Sequence, residues 1–150
     1  MDGMTYVHSI KTGLIEPHPL SKKLNLTINS FTKGNVYCSA TITNEFASKR
    51  GVLLGGITSM ILDMAMGLSL VSCLGDNIGT YTIEMKINFF KTIRVSLNTI
   101  QITGTVLHCG KTLGHTEACI LDSNQTLYAK ALGTFIILPD EKIDGLAGIK

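Results

Sequence analysis

The sequence predicts an α+β domain in which a predominantly antiparallel sheet curves around one long central helix. Three observations lead there. Strand-like alternation of apolar and polar residues occupies two segments upstream and four downstream of a single apolar run, Gly55 to Cys73. That run is apolar on nearly every side of a helical wheel, and a helix that is hydrophobic all round must be wrapped. Finally, 150 residues with 45% hydrophobic and 16% charged side chains suffice for one domain with a sizeable core.

The elements follow in order. Residues 1–20 end in "EPHPL" and read as an N-terminal arm, either extended or a short helix before a turn. The domain proper is expected over residues 21–138. Leu24, Leu26 and Ile28 alternate, as do Val36, Cys38, Ala40 and Ile42, and the turn residues of "SFTKGN" between them predict a hairpin. "NEFASKRGVLLGG" is a loop leading to a helix that starts at the Gly55-Gly56 pair. "TYTIEMKINFF" sets Tyr81, Ile83, Met85, Ile87 and Phe89 on one strand face, with Thr82, Glu84, Lys86 and Asn88 on the other. "LNTIQITGTVLH" and "TLGHTEACIL" are the next two strands, and "DSNQ" turns the chain into the last, "TLYAKALGTFIIL". Residues 139–150 are expected to form a loosely held C-terminal tail. No internal repeat, low-complexity tract or linker interrupts the pattern.

Composition removes several functions. The formal charge is only +2 and Lys and Arg form no block, which argues against nucleic acid as a partner. The N-terminus lacks the charged and apolar regions of a secretory signal, and the four cysteines lack CxxC spacing. They read as small buried residues in a reducing compartment, so a cytoplasmic location is expected. The apolar run approaches the length of a membrane span, but it holds Gly55, Gly56, Gly67 and, near its centre, Asp63. A carboxylate at mid-bilayer is expensive and no anchors flank the run, so membrane insertion is not expected. "GTVLHCGKT" is no P-loop, because five residues rather than four separate Gly104 from Gly110 and no helix follows. The four histidines show no metal-ligand spacing, and neither Ser69 nor Ser72 sits in a GxSxG elbow. No metal or redox cofactor is expected.

Asp63 is the one charge in the apolar run. It lies eight residues beyond the expected helix start, so it is no N-cap, and no Lys or Arg lies one turn away. A carboxylate so placed needs a cleft or partners from elsewhere in the fold, and such a setting suits a general base or a nucleophile. At the helix start, the Gly55-Gly56 pair can bring bare amides to a ligand at the positive end of the helix dipole, which stabilises an oxyanion. Eight helical residues rise about 12 Å. The two features of one chain therefore cannot reach the same carbonyl. Cooperation requires two antiparallel chains, each lending its carboxylate to the other's helix start, and hence a homodimer.

"GVLLGGITSMILDMAMG" resembles the hotdog-fold thioesterases of the phenylacetate-degradation and acyl-CoA thioesterase 13-like family. Their signature is His-Gly-Gly opening the central helix, with Asp or Glu nine residues after the His. Here Leu54-Gly55-Gly56 stands at the motif and Asp63 falls nine after Leu54. "TYTIEMKINFF" and "HCGKTLGHTEACIL" match further strands of the family, and the resemblance runs from about residue 24 to 138. It implies a hotdog fold and hydrolysis of an acyl-CoA thioester to a free acid and CoA, by a homodimer or homotetramer with sites between subunits. CoA then enters as part of the substrate. Carried over by position, Asp63 is the general base or nucleophile, Gly55 the oxyanion amide, and Thr82 a residue that helps hold the water. Ser48 falls where relatives often carry Asn or Gln near the thioester. Leu54 and Gly56 complete the substrate-binding motif, and Lys91, Arg94 and Lys111 are expected near the nucleotide and phosphates of CoA.

The chain departs from the pattern at two positions. Leu54 replaces the motif histidine and cannot hydrogen-bond, and Ser48 is shorter than Asn or Gln. Two alternatives thus stand beside the thioesterase: an acyl-CoA-binding protein without turnover, and a hotdog dehydratase, which would need a histidine near the helix start. Met60, Met64 and Met66 read first as core fillers, and are also suited to lining an adaptable acyl tunnel.

Overall fold

A computed structural model describes residues 1–142; most of the expected tail, residues 143–150, lies outside the described residues. The chain runs α1 (Gly3–Lys11), α2 (Pro19–Lys23), β1 (Thr27–Thr32), β2 (Asn35–Thr41), α3 (Gly55–Val71), β3 (Ile78–Phe89), β4 (Thr99–Cys109), β5 (Leu113–Leu121) and β6 (Leu127–Pro139). The six strands form one antiparallel sheet in the order β1-β2-β4-β5-β6-β3. This is the predicted α+β arrangement, with two strands before the long helix and four after it.

Helix α3 begins at Gly55 and buries Thr58, Ile61, Leu62, Ala65, Met66, Ser69 and Leu70 against the sheet. That spacing is one helical face. Its large apolar members are essentially unexposed, each contributing about 1.5–3 kcal/mol by burial. The helix comes so close that a Cβ on Gly104 of β4 would lie 2.3 Å from the Ala65 carbonyl oxygen. Asp63, Met64, Gly67 and Leu68 occupy the other, half-buried side. At 17 residues α3 is no membrane span, and no helix among the described residues is long and apolar enough to cross one.

Of the two forms expected for the N-terminal segment, extended or a short helix, the structure has a helix there, α1. Asp2 caps α1 by accepting from the Thr5 N–H at 2.9 Å, and Val7 is fully buried. The Gly3 amide donates to the Leu74 carbonyl at 3.0 Å, so close to the end of α3 that a Cβ there would sit 1.6 Å from the Val71 oxygen. A second helix is not expected from the sequence. His18 caps it through Nδ1 and Pro19 stands in its first turn, where a missing N–H costs nothing. Helix α2 therefore straddles the expected boundary at residue 20. Leu24 is its C-cap rather than a strand residue, and β1 starts at Thr27.

The face assignment along β3 is corrected by a bulge. Thr82 pairs with Phe135 and Glu84 with Thr134, which leaves Ile83 as the extra residue. Residues directly opposite share a face, and on β6 the buried, helix-facing residues are Ala129, Ala131, Gly133, Phe135 and Ile137. Thr82 therefore shares the helix-facing side with Met85, Ile87 and Phe89, while Tyr81 moves to the outer side with Glu84 and Lys86. One inserted residue exchanges the sides.

All four cysteines are free, and burial pushes the Cys38 thiol up to about 12. At the turn between β5 and β6, Asp122 accepts from the Asn124 and Thr126 amides at 2.8 and 2.9 Å and from the Tyr128 hydroxyl at 3.2 Å. Led by the Thr126 amide, these bonds hold its carboxyl below the ordinary 3.8. A depressed folded pKa contributes stability that is complete above the unfolded value and is lost as pH falls through the folded one. The thermal midpoint should thus drop as pH falls below about 4. Asp122→Asn should be less stable at neutral pH and show a smaller fall in that window by scanning calorimetry.

Candidate active site

The loop before α3 is tied at both ends. Ala47 bridges Leu53, the Leu53 amide donates to the Ile93 carbonyl at 2.8 Å, and the Leu54 amide donates to the Phe46 carbonyl at 3.1 Å. Leu54 is thereby fixed as the N-cap in extended conformation, with a side chain that makes no capping bond and is 48% exposed. The first-turn N–H groups of Gly55, Gly56 and Ile57 have no acceptor within the helix. Beside them opens a cleft of about 280 Å³, lined by Leu53, Gly55, Thr58, Phe89 and Phe90. Lys91 and Thr92 border it and also border a hollow of about 390 Å³ lined by Arg94, Ser96 and Tyr128. An apolar cleft at bare amides thus adjoins, at Lys91 and Thr92, a hollow carrying two cations.

Asp63 is half-buried two turns along α3. The Thr82 hydroxyl donates to its Oδ1 at 2.7 Å. This contact exists because the bulge at Ile83 turns Thr82 toward the helix. It fixes one carboxylate oxygen and leaves Oδ2 for other partners. By helical rise, Asp63 stands about 12 Å from the Gly55 amide of its own chain.

The structure brings together Gly55, Lys91 and Arg94 at one place and Asp63 with Thr82 at another. Gly56 faces open space, with nothing within 4 Å of where a Cβ would be. Ser48 does not line the cleft. Its hydroxyl accepts from the Arg50 amide at 3.3 Å inside the tight turn that precedes the helix. Lys111 lies in the turn between β4 and β5. That turn packs at the far end of α3, where a Cβ on Gly114 would meet Leu70 at 2.6 Å. Since α3 is about 25 Å long, Lys111 can approach a Gly55 cleft only from another subunit. Sequence reasoning missed Phe90 and Tyr128 as lining residues. Tyr128 comes from the last strand, and only the fold brings it beside Lys91, whose amide donates to the Tyr128 carbonyl at 3.2 Å.

Comparison with known proteins agrees with this architecture. The family model described as "Thioesterase superfamily" matches residues 50–129, which include α3 with both Gly55 and Asp63. A Saccharolobus solfataricus protein that bears the name "putative esterase" is 32% identical over 117 residues, covering 78% of this chain and 81% of that one. The E. coli PaaI protein, from the phenylacetic acid degradation operon, superposes with a TM-score of 0.79 at 19% identity, over 90% of this chain and 95% of its own. A Streptococcus mutans protein whose crystal structure holds acetyl-CoA gives 0.73 at 22% identity, over 83% and 98%. These likenesses, with the single antiparallel sheet and its long helix, show the hotdog fold. By the family match and the curated relative, the chain belongs to the thioesterase superfamily.

Proposed function

We propose that this protein hydrolyses acyl-CoA thioesters as a homodimer, each site combining the Gly55 amide of one subunit with the partner's Asp63. The observation that supports a CoA ester is that the cleft at Gly55 and the hollow beside Arg94 adjoin, sharing Lys91 and Thr92 in their walls. An apolar channel suits the pantetheine arm, and two cations suit the phosphates beyond it. Asp63 takes a proton from water as the water oxygen bonds to the thioester carbonyl carbon. The developing oxyanion is held by the Gly55 N–H at the helix start. Collapse breaks the carbon–sulfur bond, and the CoA thiolate leaves with the proton, giving acid and thiol. Thr82 holds the Asp63 carboxylate in place for the transfer.

Two features support the dimer. Among the described residues, β3 pairs only with β6, so one long edge of the sheet has free backbone groups and exposed Ile83, Phe89 and Phe90 nearby. Long exposed edges of this kind are templates for pairing with another strand. Pairing of β3 with its symmetry mate runs the two chains antiparallel, as the separation of Gly55 and Asp63 demands.

The test is thiol release from a panel of acyl-CoAs, followed by subunit mixing. Gly55→Pro and Asp63→Ala homodimers should each be inactive. Co-expressed, they should recover about a quarter of wild-type activity, because half the dimers are mixed and each has one intact site. Recovery fails if both groups act within one chain. No thiol release from any acyl-CoA by the wild type overturns the function itself.

A further inference from the structure

The free edge of β3 carries a charge pattern of its own. Glu84 and Lys86 are exposed on the outer side of the sheet, and neither has an ion-pair partner among the described residues. The Thr134 hydroxyl donates to Glu84 Oε2 at 3.2 Å, which fixes that carboxylate on the outer face. We propose that this edge recognises a second copy of the chain in one register, with the two-fold axis at Met85 and Glu84 opposite the partner's Lys86 on each side. This register rests on the shared-site thioesterase reading and deepens it, by naming the contacts that bring the two halves of the site together.

Helix geometry and surface charge lead separately to the same residue. Asp63 is bonded to Thr82, and a Cβ on Gly55 would lie 3.7 Å from the Phe89 ring, so α3 runs alongside β3 in the opposite direction. In a dimer that joins Gly55 of one subunit to Asp63 of the other, the axis passes midway between the two along α3. They stand about 12 Å apart by helical rise. The midpoint is therefore about 6 Å from Asp63, or about two strand residues. Counted from Thr82, Ile83 is the extra residue of the bulge and adds no step, Glu84 is the first step and Met85 the second.

The two faces of the strand restrict the axis further. Residues directly opposite share a face, so the axis falls on a residue and not between two, where an outer residue would meet a helix-facing one. An axis at Glu84 or at Lys86 sets like charges against each other, which is destabilising. At Met85 it sets Glu84 against the partner's Lys86 twice, once on each side. The same register places Thr82 against the partner's Ile87 and Thr80 against the partner's Phe89, all of them helix-facing residues. The partner's cleft beside Phe89 then opens one strand step from Thr82 and Asp63.

Reversing the charges in the full chain tests the register. Glu84→Lys and Lys86→Glu alone each set like charges opposite one another at two places, and the dimer dissociation constant should rise about tenfold in sedimentation. Combined in one chain, the two substitutions should restore wild-type dimers. Mixed as separate chains, the single variants should form heterodimers well in excess of the statistical half by native mass spectrometry, because both opposed pairs then carry opposite charges. Single variants that dimerise like wild type, a double variant that stays weak, a statistical mixture, or a monomeric wild type overturns the register. Assembly is read apart from hydrolysis. Wild type that releases no thiol yet shows this charge pairing removes the thioesterase reading and keeps the register, whereas thiol release by dimers indifferent to the charges removes the register alone.

Discussion

Replacing Gly55 with proline should lower kcat roughly 10²–10³-fold, the usual cost of removing one oxyanion donor, while leaving the fold intact. Position and backbone both favour this clean deletion. Gly55 is the first helical residue, where proline is tolerated because its N–H has no partner within the helix. The residue before it must be extended, and Leu54 already is, at φ −65° and ψ 139°. The substitution therefore removes a donor and little else. Gly55→Ala is the control. Its Cβ would lie 3.7 Å from the Phe89 ring, an ordinary contact, and its amide remains. The alanine variant should lose far less than the proline variant in steady-state kinetics with matched melting temperatures. Equal losses would show that the side-chain space beside Phe89, not the amide, matters at this position.

Asp63→Asn should lower kcat by roughly 10²–10⁴, the range for loss of a general base. The amide is nearly the same size and still accepts from Thr82, so the 2.7 Å bond and the packing around it survive. Stability should change little, since the group is half-buried and its carboxylate has no ion-pair partner among the described residues. Thr82→Val probes a different role. It removes the bond that orients Asp63 without touching the reacting carbonyl, so kcat should fall while KM for acyl-CoA holds, and Thr82→Ser should restore most of the rate. A single turnover in ¹⁸O-water separates base from nucleophile. Label in the enzyme carboxylate shows attack by Asp63 followed by water at the Asp63 carbonyl of the mixed anhydride. Trapping of an acylated Asp63 is the second readout, since direct water attack leaves the label in the released acid and no acyl-enzyme.

Several parts of this site are legible in the amino-acid sequence. Period-two alternation and the all-round apolar run specify six strands and one wrapped helix, since burial of apolar surface follows periodicity directly. Asp63 stands out because an isolated carboxylate in such a run demands explanation, and Gly55 because glycine pairs leave amides bare. Their separation follows from helical rise alone. The face of Thr82 is not legible, for a physical reason. Alternation assumes regular pleating, and the bulge at Ile83 has no local signature among β-branched and polar residues. Counting residues from Leu54 places Ser48 near the substrate, and only the structure shows that its hydroxyl also accepts from the Arg50 amide in a tight turn.

By itself, then, the sequence determined the fold class, the helix that carries the carboxylate, and the requirement for two chains if Gly55 and Asp63 act together. These depend on local geometry: a period, a rise per residue, a missing side chain. Tertiary structure alone decided which hydroxyl holds Asp63, that Lys91 and Arg94 share a hollow with Tyr128, and that two N-terminal helices close an apolar cavity beside Met64. Each of these joins residues far apart in the chain. Such contacts arise from how a curved sheet closes around its helix, and neither periodicity nor spacing encodes the closure.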